Sequence, residues 1–398
     1  MIKKLKAINF KSFESIDIEL SDLNVVIGPN ASGKSNFASV FQFIRDISTL
    51  GFDNAISLQG GFEYINNFKN SQKQPIEIEI QFDNSGISTL NKFSEIEFSS
   101  FSYDIKIFPL LRGKGIKKYI EEISLKPINP KDNAYHSDFK IISDNGKVSF
   151  QPELSEFKKM GNLYGILAPF QFKDIMGVGS LISAFPLMAF LGLSNSIQVY
   201  DFDPKMSKKA IPISGKAELE LDGSNTALVL RNMQRNQETR NKFIQYLKVC
   251  LPFVKDLSVE SQVDKSIILK VKESYNPKEA IPSSIISDGT LELISLIYAL
   301  FFDGKRLIII EEPERNIHPN LIANLMQLIK EASQEKQIII TTHSPELIKY
   351  LEEKDILVIK RDKNGASKVS HVLDKSMVRS FLKSHVGISD LFVDGILS

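Results

Sequence analysis

Leu23-Asn24-Val25-Val26-Ile27 runs directly into Gly28-Pro29-Asn30-Ala31-Ser32-Gly33-Lys34-Ser35, and this stretch decides the fold. It reads G-x-x-x-x-G-K-S between an apolar run and a segment whose Phe37, Val40, Phe41 and Ile44 fall on one helical face. The expected unit is therefore strand, glycine turn, helix. The glycines let backbone N–H groups curl around phosphate, Lys34 supplies a point charge for the β- and γ-phosphates, and Ser35 offers a hydroxyl to Mg²⁺. A chance glycine turn is the alternative, and the flanking strand and helix argue against it.

Two later segments carry chemistry that fits such a loop. The apolar run Leu307–Ile310 delivers Glu311-Glu312-Pro313-Glu314. One carboxylate at a strand end can hold the metal's water shell, and the next, expected on the opposite side of the pleat, can orient or deprotonate an attacking water. Glu311 is assigned to Mg²⁺ and Glu312 to the water. Ile338-Ile339-Ile340-Thr341-Thr342 then ends in His343, with Ser344 placed to cap and Pro345 to start a helix. Ligands of open α/β sheets sit outside the carboxyl ends of strands, which puts His343 near the γ-phosphate or the water. His136, His371 and His385 lack that context and read as surface or satisfied residues. Ser287-Asp288-Gly289-Thr290 opens an apolar helix through Ala299. It suits either an anion or an ordinary capping box.

Between these pieces the chain changes character. Ile2–Phe10 and Ser15–Leu20 alternate as half-buried strands. From about Pro75 to Phe150, alternating runs separated by turn residues read as an antiparallel meander packed on the nucleotide core. Residues from about 153 to 250 read as mostly helical, with Thr226–Met233 and Lys242–Val249 at helical spacing, and Ser258–Val271 returns to strand. The expected division is 1–160 for the first half of the core, 161–282 for a mainly helical lobe, and 283–398 for the second half. The fold class is α/β, a P-loop NTPase with an antiparallel β subdomain and an inserted helical lobe.

Together these segments resemble the ABC-type ATPases of the SMC/RecF/OLD group, in particular bacterial RecF-like AAA family ATPases. Asn9-Phe10-Lys11-Ser12-Phe13 matches the group's N-F-K-S-F opening, and Ile27–Asn36 is similar to its Walker A. Ile286-Ser287-Asp288-Gly289-Thr290 is similar to its signature, with S-D-G where transporters have S-G-G. Ile310–Glu314 with Ile317-His318-Pro319 resembles Walker B and the D-loop, and Thr341–Pro345 resembles the switch histidine.

The resemblance implies ATP and Mg²⁺ as cofactors. It places Asn30, Ala31, Ser32, Gly33, Lys34, Ser35 and Asn36 on the nucleotide, Ser35 and Glu311 at the metal, and Glu312 and His343 in catalysis. It also implies a homodimer sandwiching two ATPs head-to-tail. Ser287, Asp288 and Gly289 would act in trans on the partner's nucleotide, and Asn316 and His318 would lie at the seam. A glutamine loop is expected, with Gln59 and Gln81 as candidates. Higher oligomers stay open.

Departures from relatives shape the functional expectation. The region between the two halves shows no heptads and no C-x-x-C, so long coiled-coil arms are not expected. Near the end Asp390 and Asp394 lie without a glycine-flanked acidic cluster, so an OLD-type nuclease is not expected. The expectation is a sensor or regulator ATPase of a bacterial anti-phage or toxin–antitoxin-like system with a separate effector protein. A RecF-like DNA-repair ATPase is the second reading, for which Arg112–Lys118, on a hairpin turn, and Lys205–Lys209 are the candidate DNA contacts. An ABC transporter's ATPase subunit fits less well, given S-D-G-T and F-K-S-F.

Composition is consistent with this. In 398 residues, 49 Lys+Arg and 48 Asp+Glu leave a net charge of +1, which gives no sign of nucleic-acid binding from bulk charge. Cys250, the only cysteine, excludes an intrachain disulfide and reads as a buried small hydrophobe. The basic Met1–Leu5 has no apolar leader behind it, and Ile182–Leu193 is too short and interrupted to span a bilayer. A cytoplasmic protein away from membranes is expected.

Overall fold

The computed structural model describes residues 1–70, 73–83, 98–111, 114–127, 138–145, 147–151, 196–276, 278–372 and 388–393. Along the chain, β1 (Ile2–Phe10), β2 (Phe13–Glu19) and β3 (Leu23–Ile27) precede α1 (Lys34–Leu50), α2 (Phe52–Leu58) and α3 (Phe62–Ile65). The strands β4 (Ile76–Phe82), β5 (Phe98–Pro109), β6 (Ile116–Pro127), β7 (Phe139–Asp144) and β8 (Lys147–Gln151) follow. Then come β9 (Ile197–Tyr200), α4 (Pro204–Ser207), β10 (Ile211–Pro212), α5 (Thr226–Met233), α6 (Gln237–Cys250), β11 (Val254–Ser261), β12 (Ser266–Glu273) and β13 (Ile281–Pro282). The last stretch holds α7 (Asp288–Phe301), β14 (Leu307–Glu311), α8 (Ile322–Ala332), β15 (Gln337–Thr342), α9 (Pro345–Ile348), β16 (Ile356–Arg361), β17 (Ser367–His371) and α10 (Ile388–Val393).

Two compact units divide the chain. The first comprises Met1–Asp22, Pro29–Ile197 and Leu357–His371; the second comprises Leu23–Gly28, Gln198–Ile356 and Val372–Ser398. In the first, strands run in the order β8-β7-β6-β5-β4-β1-β2-β17-β16. The meander is antiparallel as its alternation requires, and burial alternates strictly along β4. It does not pack on the N-terminal strands as a separate layer, however. β4 pairs antiparallel with β1, Ala7 opposite Ile78, so the meander extends the same sheet. The N-F-K-S-F segment is the β1–β2 turn: Phe10 pairs with Phe13, leaving Lys11 and Ser12 as a two-residue loop. Lys11 has φ 48°, the positive φ that a tight, strongly twisted hairpin loop demands.

In the second unit the order is β3-β15-β14-β9, with β3, β15 and β14 parallel. Every residue of β3 and β15 is buried, as is every residue of β14 before Glu311. Near-continuous apolar runs are what strands covered on both faces need, and each buried Ile or Leu contributes about 1.5–3 kcal/mol. α7 buries residues almost all round, whereas α8 buries Ile322, Leu325, Met326 and Ile329 on one stripe.

The stretch expected to be mainly helical is mixed in its described part. α5 and α6 form where predicted, but β9 to β13 lie there too, and β10-β12-β11 with β13 make a second antiparallel sheet. The return to strand expected over Ser258–Val271 takes the form of a hairpin. Gln262 N donates to Ser266 O at 2.8 Å, and Lys265 takes φ 62° to close the turn. The expected boundary at 282 does not separate the units either, since Gln198–Ile356 is continuous in one of them. Residues 152–195, with the Ile182–Leu193 run, lie outside the described residues, as do His136, His385 and Asp394. Among the described residues no helix is long and apolar enough to cross a membrane. Cys250 is buried, and burial pushes its thiol up to about 11.

Candidate nucleotide site

In the first unit the glycine loop enters α1 as its sequence requires. Ala31 and Gly33 both take positive φ, 61° and 116°, and Gly33 is the residue before the helix. A side chain at Gly33 is excluded by space as well as by φ, because a Cβ there would lie 2.4 Å from Ser367 Oγ. Phe37 N closes the first turn onto Gly33 O at 2.9 Å. Pro29, Asn30, Ala31 and Ser35 are exposed, while Ser32, Gly33 and Lys34 are buried. Lys34 is 8% exposed, and its Nζ donates to Pro29 O at 3.2 Å across the loop. Ser32 Oγ is buried with no hydrogen-bond partner, a donor that an anionic oxygen would satisfy. The loop thus presents N–H groups, a buried ammonium and an orphan hydroxyl, which fits phosphate. Asn36 bonds through Nδ2 to Ser12 Oγ at 2.8 Å, a link the sequence did not suggest.

In the second unit the carboxyl ends of the parallel strands are in register. Ile27 lies opposite Thr342, and Glu311 opposite Thr341. β14 ends at Glu311, so Glu312 does not continue the pleat as expected. It turns into the left-handed region, φ 46°, with its N–H on Thr341 O at 2.8 Å. Such a conformation is disfavoured for a non-glycine residue and persists where surrounding contacts hold it. Glu312 Oε1 lies 2.7 Å from His343 Nδ1, bringing together the two residues assigned to catalysis. Arg315 Nη2 sits 3.5 Å from Glu312 Oε2 and donates to Asp201 Oδ1 at 3.0 Å. Thr342 donates through Oγ1 to Glu314, and burial holds the Glu314 carboxyl above its ordinary range. Arg315, Glu314 and Thr342 were not singled out from the sequence, although an acid and an arginine three residues apart after a strand carry that signal.

Ser287 caps α7: its Oγ accepts from Thr290 N at 3.3 Å and bonds Thr290 Oγ1 at 2.8 Å. The capping reading is therefore realised, while Ser287 itself stays exposed. Asp288 pairs with Lys208. Gly289 packs on the loop after β14, where a Cβ would come 2.4 Å from Asn316 O. Asn316, at φ 63°, donates through Nδ2 to Glu292 Oε2 at 3.0 Å. Burial pushes the Glu292 carboxyl up to about 8 despite that bond. The start of α7 and the loop after β14 are thereby joined at two points within this unit. His318 caps the next turn, its Nδ1 accepting from Asn320 N at 3.3 Å. Ser344 precedes α9 without a side-chain cap; instead its N–H donates to Thr342 Oγ1 at 2.9 Å. Gln81 lies within β4 and is bonded to Glu79, so it is no loop residue, whereas Gln59 follows α2.

Part of each basic run is paired with carboxylates. Lys114 pairs with Glu63 at 2.7 Å and Lys118 with Asp144 at 2.8 Å, and Lys117 and Lys118 belong to β6 rather than to a turn. Arg112 and Gly113 lie outside the described residues.

Comparison with known proteins gives the family and the fold. The chain is similar to an ATP/GTP phosphatase of Helicobacter pylori, 19% identical over 366 residues covering 89% of this chain and 88% of that protein. It is also similar to the endonuclease GajA of Bacillus cereus, 21% identical over 85% of this chain but only 55% of GajA. Among solved structures, an Smc head bound to the C-terminal winged-helix domain of ScpA superposes with a TM-score of 0.56 at 14% identity, over 93% of this chain and 97% of that one, and shows the fold. Residues 23–349 match the family described as "AAA domain, putative AbiEii toxin, Type IV TA system". The chain belongs to that family and is an ABC-type ATPase of the SMC/RecF/OLD kind.

Proposed function

We propose that this ATPase is a nucleotide-dependent dimeric switch, the sensor or regulator subunit of a bacterial anti-phage or toxin–antitoxin-like system whose effector is a separate protein. The observation that carries the reading is the Glu312–His343 pair at 2.7 Å, held by a strained backbone and backed by Arg315. A carboxylate so placed orients and deprotonates a water, while the imidazole fixes its rotamer and faces the γ-phosphate. Lys34 and the loop N–H groups bind the phosphates. Ser35 and Glu311 would hold Mg²⁺, whose hydroxyl and carboxylate ligands suit a hard cation and which would neutralise charge on the β- and γ-oxygens.

Ser287, Asp288 and Gly289 act in trans on the partner's nucleotide in this reading. The exposed residue Ser287 at the start of α7 supports it, since a helix N-terminus favours an anion. ATP then closes the two subunits and hydrolysis releases them. The family's description, a putative AbiEii toxin of a type IV TA system, supports a place in a toxin–antitoxin-like system. The DNA reading finds less support, because Lys114, Lys118 and Lys208 each face a carboxylate. Co-purification with the product of the adjacent gene, with and without ATP, tests the effector. Association in one nucleotide state is expected, and no association in any state contradicts it.

A further inference from the structure

The floor of the phosphate loop holds a hydrogen-bonded chain that nucleotide binding alone does not explain. Asn36 Nδ2 is 2.8 Å from Ser12 Oγ, Ser12 Oγ is 2.8 Å from Ser367 Oγ, and Ser367 Oγ is 2.6 Å from the Ser32 carbonyl oxygen. The Ser367 N–H also donates to Ser12 O at 2.8 Å. Ser12, Ser32 and Ser367 are 5%, 2% and 1% exposed, so water does not compete for these bonds.

The Ser367 hydroxyl is the donor to both Ser12 Oγ and the Ser32 carbonyl, and Ser12 Oγ also accepts from Asn36 Nδ2. Its single proton is therefore held between two acceptors at the floor of the loop. Ser12, fixed by Asn36, keeps the Ser367 hydroxyl in the rotamer from which it reaches the Ser32 carbonyl.

The end of the chain is the peptide that matters. The Ser32–Gly33 peptide is planar and trans, so its C=O and N–H point in opposite directions. Drawing the Ser32 carbonyl inward to Ser367 turns the Gly33 N–H away from the floor. Gly33 permits this because a Cβ would lie 2.4 Å from Ser367 Oγ and 3.1 Å from Ser12 Oγ.

We propose that Ser367, acting with Ser12, is a positioning residue for nucleotide binding: it fixes the Ser32–Gly33 peptide so that the Gly33 N–H faces the bound phosphate. The β1–β2 turn and the late strand β17 thereby set the geometry of a loop hundreds of residues from β17 in sequence. The proposal rests on reading residues 28–35 as the phosphate loop.

The test uses the full chain carrying Ser367→Ala, Ser12→Ala, both together, and Lys34→Ala, each titrated with ATP by calorimetry and assayed for turnover. Each serine variant should weaken ATP binding about tenfold to a hundredfold, the loss of one hydrogen bond to a charged group, while kcat at saturation changes less than about twofold. The double variant should be no weaker than the worse single one, because one chain is cut in either place. Wild-type affinity in both single variants, losses that multiply, or a fall in kcat at unchanged affinity would each overturn the proposal. If Lys34→Ala also binds ATP normally, the phosphate-loop reading fails with it; if only the serine variants bind normally, the positioning role alone fails. Should Ser367→Ala not fold by circular dichroism, Ser12→Ala decides by the same criteria.

Discussion

Glu312 Oε1 and His343 Nδ1 lie 2.7 Å apart, each just beyond the end of one of two adjacent parallel strands. Neither residue alone would say much: a carboxylate after a strand can be a solvated turn, and a histidine at a strand end a polar tip. Their contact, with Glu312 held at φ 46°, makes them a unit.

Glu312→Gln should retain ATP but lower the hydrolytic rate by about 10²–10⁴-fold, the usual worth of a positioned base. Phosphate release in single turnover, set beside ATP affinity by calorimetry, checks this. A normal rate would remove Glu312 from the base role.

His343→Ala should lower kcat with little change in ATP affinity, because the imidazole bonds the Glu312 carboxylate rather than the glycine loop. Comparing kcat and KM separates the two effects.

Gly289→Ala should destabilise the protein by about 1–3 kcal/mol, since the added methyl meets a backbone carbonyl that cannot swing aside. Thermal denaturation without nucleotide reads this out. An unchanged midpoint would mean that α7 and the loop at Asn316 shift apart freely.

The buried Glu292 predicts a pH effect with a definite sign. Its folded pKa, about 8, lies above the ordinary value of 4.5, so the folded state holds the proton more tightly. That stabilisation is complete below about pH 4.5 and is lost as pH rises through about 8. Glu292→Gln cannot ionise and keeps an acceptor for Asn316, so it should flatten the decline in stability between these limits. Denaturant midpoints for both proteins across that range give the comparison.

The local elements were legible in the sequence where periodicity and turn chemistry agree. The glycine loop, the buried strands β14 and β15 and the alternating β4 to β7 all fall where predicted. Legibility failed where a turn lacked its usual residues. The β11–β12 hairpin turns at Lys265 with positive φ and no glycine, so the turn within this stretch was not legible. It failed again where partners are distant: Ser12 and Ser367 are 355 residues apart, and no local pattern joins them. Glu312 illustrates a third cause. Strand alternation placed it across the pleat, whereas a strained backbone bonded to Thr341 O places it instead.

If two subunits share the ATP site, the Glu312→Gln protein should be trapped as a dimer, and light scattering measures its mass. With ATP and Mg²⁺ the mass should be that of a dimer, returning to that of a monomer when Ser287→Arg blocks the trans contact. A Glu312→Gln protein that binds ATP and stays monomeric, or a dimer indifferent to both ATP and Ser287→Arg, would contradict it.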